Sequence, residues 1–228
     1  VKESVCTIIT DIEKGIETAV DSINLHRSLL ENYVEINPEF KASLIPVQIG
    51  ETHEIIHRMA KAANIAGVGP MAAVAGALCD LAVEEMVKIG VKVAVVENGG
   101  EAFIVSDQPI DLAIQAGDTP LSRKIGFRLE KFPIGVATSS GKFSHALSFG
   151  DSDAVTVFAV NASLADAVAT RVGNVIKSEE TIDSGVNLAL SIPGVFGALI
   201  IYNKKVGFGG DLPQFIQIES DKTEDLLV

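Results

Sequence analysis

The chain is short of positive charge. Its 228 residues hold 18 Lys and Arg against 30 Asp and Glu, a formal net charge of −12. A nucleic-acid backbone demands clustered cations, so composition excludes that partner. Cysteine is scarce as well: Cys6 and Cys79 each sit inside an apolar run, with no metal-type spacing between them. They read as reduced core thiols rather than a disulfide, which points to a reducing, cytoplasmic setting. No apolar run is long enough to span a bilayer and no secretory pattern opens the chain, so no membrane partner is expected. Low-complexity linkers are missing too, which leaves residues 1–228 as a single expected domain.

What is present suits a packed core: 47% of the residues are hydrophobic. Residues 4–10 are rich in β-branched side chains and read as a strand. Ile12, Ile16, Ala19, Val20, Ile23, Arg27, Leu30 and Val34 then follow a 3.6 period, predicting an amphipathic helix that ends near Asn37-Pro38, before a connector over 40–49. A second helix spans 52–64. Gly67-Val68-Gly69-Pro70 breaks it, and a third runs from 70 to about 89, ended by Gly90. The small, all-round apolar start of that helix predicts burial and close approach by other backbone or by a ligand. Two β runs around Asn98-Gly99-Gly100 are a strong hairpin signal, and strands follow at 110–116, 123–129 and 132–138. A helix over 179–190, a hairpin about Asn203-Lys204-Lys205 and a strand over 214–219 complete the pattern, with a charged tail expected to fray. Helix, glycine and hairpin occur in that order at 70–105 and again at 179–208, hinting at internal duplication. The fold class is α+β, an antiparallel sheet packed with helices.

Residues 136–174 concentrate the chemistry. Thr138, Ser139, Ser140 and Gly141 form a hydroxyl-lined loop whose amides can curl into a concave anion site, and a lone histidine, His145, follows. Asn161 and Ser163 are good N-cap residues, and Leu164, Val168, Val172 and Val175 recur at helical spacing, so a helix begins near Ser163. Asp166 and Thr170 share one face of it, where a carboxylate and a hydroxyl can reach one ligand or hard cation. Spacing alone favours a plainer reading, in which Asp166 offsets the helix dipole and Thr170 bonds back to a carbonyl.

Residues 53–57 spell HEIIH, a pattern in which two histidines one turn apart bind zinc and the glutamate activates water. The short helix, the GVGP break after it and the lack of a recognisable third-ligand motif favour two exposed histidines on a surface helix. A zinc metallopeptidase is therefore the third-ranked reading.

Taken together, NPEF at 37–40, EII followed by Met59, GVGPMAAVAGA at 67–77, VENGG at 96–100, TSSG at 138–141, SFG at 148–150, DAVTV at 153–157 and ADAVAT with GN at 165–174 resemble the UPF (ApbE-like) branch of the ApbE-like superfamily, found mainly in archaea and anaerobic bacteria. The resemblance covers nearly the whole chain and implies a T-fold-like α+β arrangement. The ApbE flavin transferases are more distantly similar. They bind flavin adenine dinucleotide (FAD) and Mg²⁺ and pass the flavin mononucleotide (FMN) part to a threonine hydroxyl of a partner protein. Carried over residue by residue, their motifs imply cofactor contacts at Gly99, Gly100, Thr138, Ser139, Ser140 and Gly141, and the small-residue stretch that holds Gly69 and Met71 is expected to let the same ligand approach closely. They imply catalytic roles for His145 and Ser140, and Mg²⁺ ligands at Asp166 and Thr170.

Two departures matter. Ala75 stands where the transferases carry a lysine, and Ala146, Leu147, Ser148 and Phe149 replace their Ile-Ile-Asp-Pro. Both changes remove charged groups that a phosphate-transfer site uses. The resemblance thus implies a flavin or related nucleotide bound with Mg²⁺ and an FMN transfer activity toward a protein acceptor; a homodimer is a further expectation that the resemblance does not supply. The alternative from another class is a non-enzymatic ligand-binding or assembly component supporting sulfur assimilation and homocysteine formation.

Overall fold

A computed structural model describes residues 5–114, 124–140 and 152–218, together with the backbone of 226–227. The chain opens with β1 (Cys6–Thr10), α1 (Glu13–Ile36), α2 (Pro38–Ala42) and α3 (Glu54–Ala66). A 3₁₀ turn at Pro70–Ala73 leads into α4 (Val74–Lys88), then β2 (Ala94–Asn98), β3 (Glu101–Val105), β4 (Ile110–Ala113), β5 (Ile125–Leu129) and β6 (Ile134–Ser139). After β7 (Ala154–Ala159) come α5 (Ala162–Gly173), α6 (Ile182–Leu190), β8 (Val195–Tyr202), β9 (Lys205–Gly210), β10 (Gln214–Gln217) and β11 (Leu226–Leu227). Seven strands form one antiparallel sheet in the order β1-β2-β3-β6-β7-β8-β9, and four form a second in the order β10-β5-β4-β11. This is the expected α+β class.

Strand alternation explains the layering, because successive side chains point to opposite faces. In β7, Val155, Val157 and Ala159 enter a core shared with α3, α5 and α6, while Ala154 and Phe158 enter one shared with the second sheet. Every residue of β7 is therefore buried. A third core sets Ala19 and Ile23 of α1 and Cys79, Val83 and Met86 of α4 against Ala94, Val96 and Phe103. The seven-stranded sheet is thus a middle layer, helices on one face and the small sheet on the other.

Several expectations need correction. The buried stripe of α1 runs through Gly15, Ala19, Ser22, Ile23 and Leu30, leaving Ile12, Ile16 and Val20 exposed. Gly15 lies so close to Thr10 that a side chain there would collide with it, which turns the helix by its smallest residue rather than its largest. Asn37-Pro38 ends α1 as expected, yet proline also serves as the first residue of α2, since its missing amide costs nothing there. At the far end of the chain, Leu226 and Leu227 pair in parallel with Leu112 and Ala113 of β4, where a frayed tail was expected. The hairpin pattern seen twice in sequence does not amount to a confirmed duplication. Cys6 and Cys79 are both free thiols. No single helix among the described residues is long and apolar enough to cross a membrane.

Candidate functional site

The helix side of the middle layer carries two helix starts that hold each other. Asp80, fully buried on α4, accepts the amides of Ala162 at 2.7 Å and Ser163 at 3.1 Å, the first two residues of α5. Asn161 adds its side-chain oxygen to the Leu164 amide at 2.9 Å, as its N-cap position predicts. In return Asp166 of α5 accepts the Gly76 amide, in the first turn of α4, at 3.1 Å. Gly76 makes this possible: a Cβ there would run into the Ala162 carbonyl. Gly135 of β6 meets the Asn161–Ala162 peptide equally closely. The small residues at the start of α4 thus admit neighbouring backbone, one of the two occupants that their composition allowed.

Beside the helix starts lies the β2–β3 turn. Gly99 and Gly100 have φ of 73° and 114°, a left-handed conformation that favours glycine. The Glu97 carboxylate accepts the Gly100 amide at 2.9 Å, and the Gly100 carbonyl accepts the Thr138 amide at 3.0 Å. The glycine pair and the hydroxyl-bearing end of β6 are therefore adjacent, as the motifs implied. Glu101 follows, paired with Ala137 across the strands.

Electrostatics single out this corner. Burial pushes Asp80 up to about 6, opposed by its hydrogen bonds to Ser163 and Ala162. Burial also pushes Asp166 up to about 7, with the charge of Asp80 adding to it and the Gly76 bond opposing. Glu101 is raised well above its ordinary value, first by burial and then by the charges of Asp166 and Glu97. Glu97 is raised by burial, with the Gly100 amide pulling back. Like charges this close in poorly hydrated surroundings do not all ionise unless a cation joins them.

Residues 7–188 match the family model described as "AbpE bacteria". The chain belongs to that ApbE-like family. A UPF0280 protein of Methanosarcina barkeri is 39% identical over 217 residues, covering 93% of this chain and 85% of its own. A UPF0280 protein of Archaeoglobus fulgidus is 40% identical over 233 residues, covering 99% and 95%. The crystal structure of the ApbE protein of Thermotoga maritima shares the fold, with a TM-score of 0.50, 14% identity, and coverage of 88% of this chain and 77% of that one.

In this ApbE-like chain the sequence-derived site residues separate. Alternation along β6 sends Val136 toward the second sheet and Ala137 toward the helices. Thr138 accordingly faces the second sheet, where its hydroxyl meets that of Thr156 at 2.9 Å, and Ser139 turns to the helix side that Glu101 and Asp166 share. Ser140 stands half-buried just beyond the strand end, and Gly141 and His145 lie outside the described residues. Gly69 sits at a close crossing, since a Cβ there would strike the backbone of Ser43 and Leu44. Met71 packs against the helix-side core. Thr170 is half-buried one turn after Asp166. Asp166 does serve a helix dipole, though it is that of α4 rather than its own.

The zinc reading gains no support from the described residues. His53 is the residue before α3 and has extended backbone, so only His57 of the two histidines stands within the helix. The Thr52 amide donates to His57 Nε2 at 3.3 Å. Among the described residues no three His, Cys, Asp or Glu side chains group to hold a metal. Magnesium asks for less, one or two carboxylates beside water and substrate phosphate, and the oxygen donors with surplus negative charge at Asp166 and Glu101 fit it. Sequence reasoning missed Asp80, Glu97 and Glu101. The two glutamates flanking Asn98-Gly99-Gly100 were the available signal for that pair.

Proposed function

We propose that this protein binds a flavin or related nucleotide with Mg²⁺ and, as its fullest activity, transfers the FMN part of FAD to a threonine hydroxyl of a protein acceptor. The observation that carries the reading is the pair Asp166 and Glu101 beside a glycine turn, two carboxylates raised first by burial, with the charge of Asp80 adding to Asp166 and the charge of Asp166 adding to Glu101. Asp166 and Thr170 would hold the cation, with Glu101 as a neighbour of matching charge. Mg²⁺ bound there would neutralise the phosphates and polarise the bond between them. Without it a protein of net charge −12 repels a pyrophosphate. Gly99 and Gly100 let the ligand approach the backbone, and Ser139, Ser140 and Gly141 supply donors to its phosphates. In transfer, the acceptor's threonine oxygen forms a new bond to phosphorus, the pyrophosphate bond breaks, AMP leaves, and His145 takes the hydroxyl proton. We place this activity in the cytoplasm.

A second reading is favoured by Ala75. With no lysine there, and with the Gly76 amide already given to Asp166, the start of α4 offers little to a transferring phosphate. The protein would then bind the dinucleotide intact and act as a binding or assembly component in sulfur assimilation. Mass spectrometry of a threonine-bearing acceptor incubated with protein, FAD and Mg²⁺ separates the two. A phosphoester-linked flavin supports transfer, and bound, uncleaved FAD supports the second reading.

A further inference from the structure

Two connections carry the chain between the sheets, residues 130–133 from β5 to β6 and residues 211–213 from β9 to β10. They run side by side. Lys131 of one meets Asp211 of the other at 3.0 Å, and the Asp211 amide donates to the Phe196 carbonyl of β8 at 2.8 Å. Between them opens a cavity of about 320 Å³, the size of a small-molecule site.

The walls are apolar, built from Phe132, Pro133, Ile134, Phe196, Leu212 and Pro213. Leu212 reaches inward because β8 carries Gly197, where a Cβ would come within 2.7 Å of the leucine side chain. Proline fixes φ in each connection, so the walls are set before a ligand arrives. The rim is charged yet balanced. Arg128 and Lys131 stand against Glu130 and Asp211, a locally neutral opening in a chain of net charge −12. Asp111 holds Arg128 through two bonds of 2.8 and 2.7 Å. The Lys131–Asp211 pair is the more exposed, its side chains 85% and 76% accessible, so parting it costs little.

We propose that the cavity binds a free aromatic α-amino acid, with its ring against Phe132 and Phe196, its carboxylate on Lys131 and its ammonium on Asp211. Such a ligand brings one charge of each sign side by side. It trades one exposed ion pair for two and leaves neither side chain without a partner. Its ring gains the apolar walls and the edge or offset contacts that aromatic rings make with one another. Singly charged ligands fit less well, because a plain carboxylate meets Glu130 and Asp211 while a plain amine meets Arg128 and Lys131. The cavity is not the candidate site. Ile134 opens β6 and Ser139 closes it, about 17 Å away at the rise of a strand, and Phe132 and Leu212 pack on the core between the sheets rather than on the helix side. The inference therefore stands apart from the flavin reading.

Amide NMR titration of the full chain with L-phenylalanine tests this. Saturable shifts are expected at millimolar ligand, centred on the amides of Lys131, Phe132, Asp211 and Leu212. Phenylpropionate lacks the ammonium and phenethylamine lacks the carboxylate, and each is expected to bind at least about tenfold more weakly. Glycine keeps both charges without the ring and should bind more weakly still. Lys131→Ala combined with Asp211→Ala alters two exposed positions, so the fold is expected to persist by circular dichroism while affinity falls at least about tenfold. Absence of binding, shifts centred elsewhere, equal affinity for either singly charged analogue, or unchanged affinity in the double variant each overturns the proposal.

Discussion

Asp80 and Asp166 exchange helix caps: the carboxylate of α4 takes the first amides of α5, and the carboxylate of α5 takes an amide in the first turn of α4. The exchange locks two helix starts at the corner where the glycine turn and the end of β6 converge. It also places two carboxyl groups near each other, Asp80 buried and Asp166 half-buried, so the scaffold and the electrostatics of the candidate site have one origin.

Removing Asp80 tests the lock. Asp80→Ala leaves the Ala162 and Ser163 amides buried without acceptors, and the loss is expected to cost about 3 kcal/mol of stability. Denaturant unfolding measures it. Asp80→Asn keeps one oxygen acceptor and should cost clearly less.

Gly76→Ala tests the crossing. The added methyl meets the Ala162 carbonyl, backbone that cannot swing away, so α4 and α5 must separate and the Asp166–Gly76 bond lengthens. The expected loss is about 2–4 kcal/mol, even though alanine is the better helix former. Thermal unfolding checks the sign, which helix propensity alone would reverse.

Acidity tests the charge accumulation. Asp80 and Asp166 titrate near 6 and 7 in the folded chain against 3.8 as the ordinary value. Because folding raises both, the stability linked to their protonated forms is complete below about pH 4 and is lost as pH climbs through 6 to 7. Asp166→Asn keeps an acceptor for the Gly76 amide and removes the charge. It should flatten the fall in stability between pH 4 and 8 and add on the order of 2 kcal/mol at pH 8. Melting temperatures across that range read the effect.

These particulars show where sequence reasoning reaches and where it stops. The hairpin at Asn98-Gly99-Gly100 and the N-cap at Asn161 were legible because turn and cap chemistry is local. The buried face of α1 was misplaced because Gly15 packs by being small, which a hydrophobic pattern cannot register. Alternation would have divided Thr138 from Ser139, but only once the faces of β6 were assigned, and that depends on strands far away in sequence. The Asp80–Asp166 exchange joins residues 86 apart, and nothing at either position announces the other.

The most direct test is a calorimetric titration of FAD into wild-type protein and into Asp166→Asn, with and without Mg²⁺. The account predicts binding by wild type that weakens at least about tenfold when Mg²⁺ is withheld, and a variant that has lost this dependence along with most of its affinity. No binding by wild type, or equal affinity in the two proteins, would contradict it.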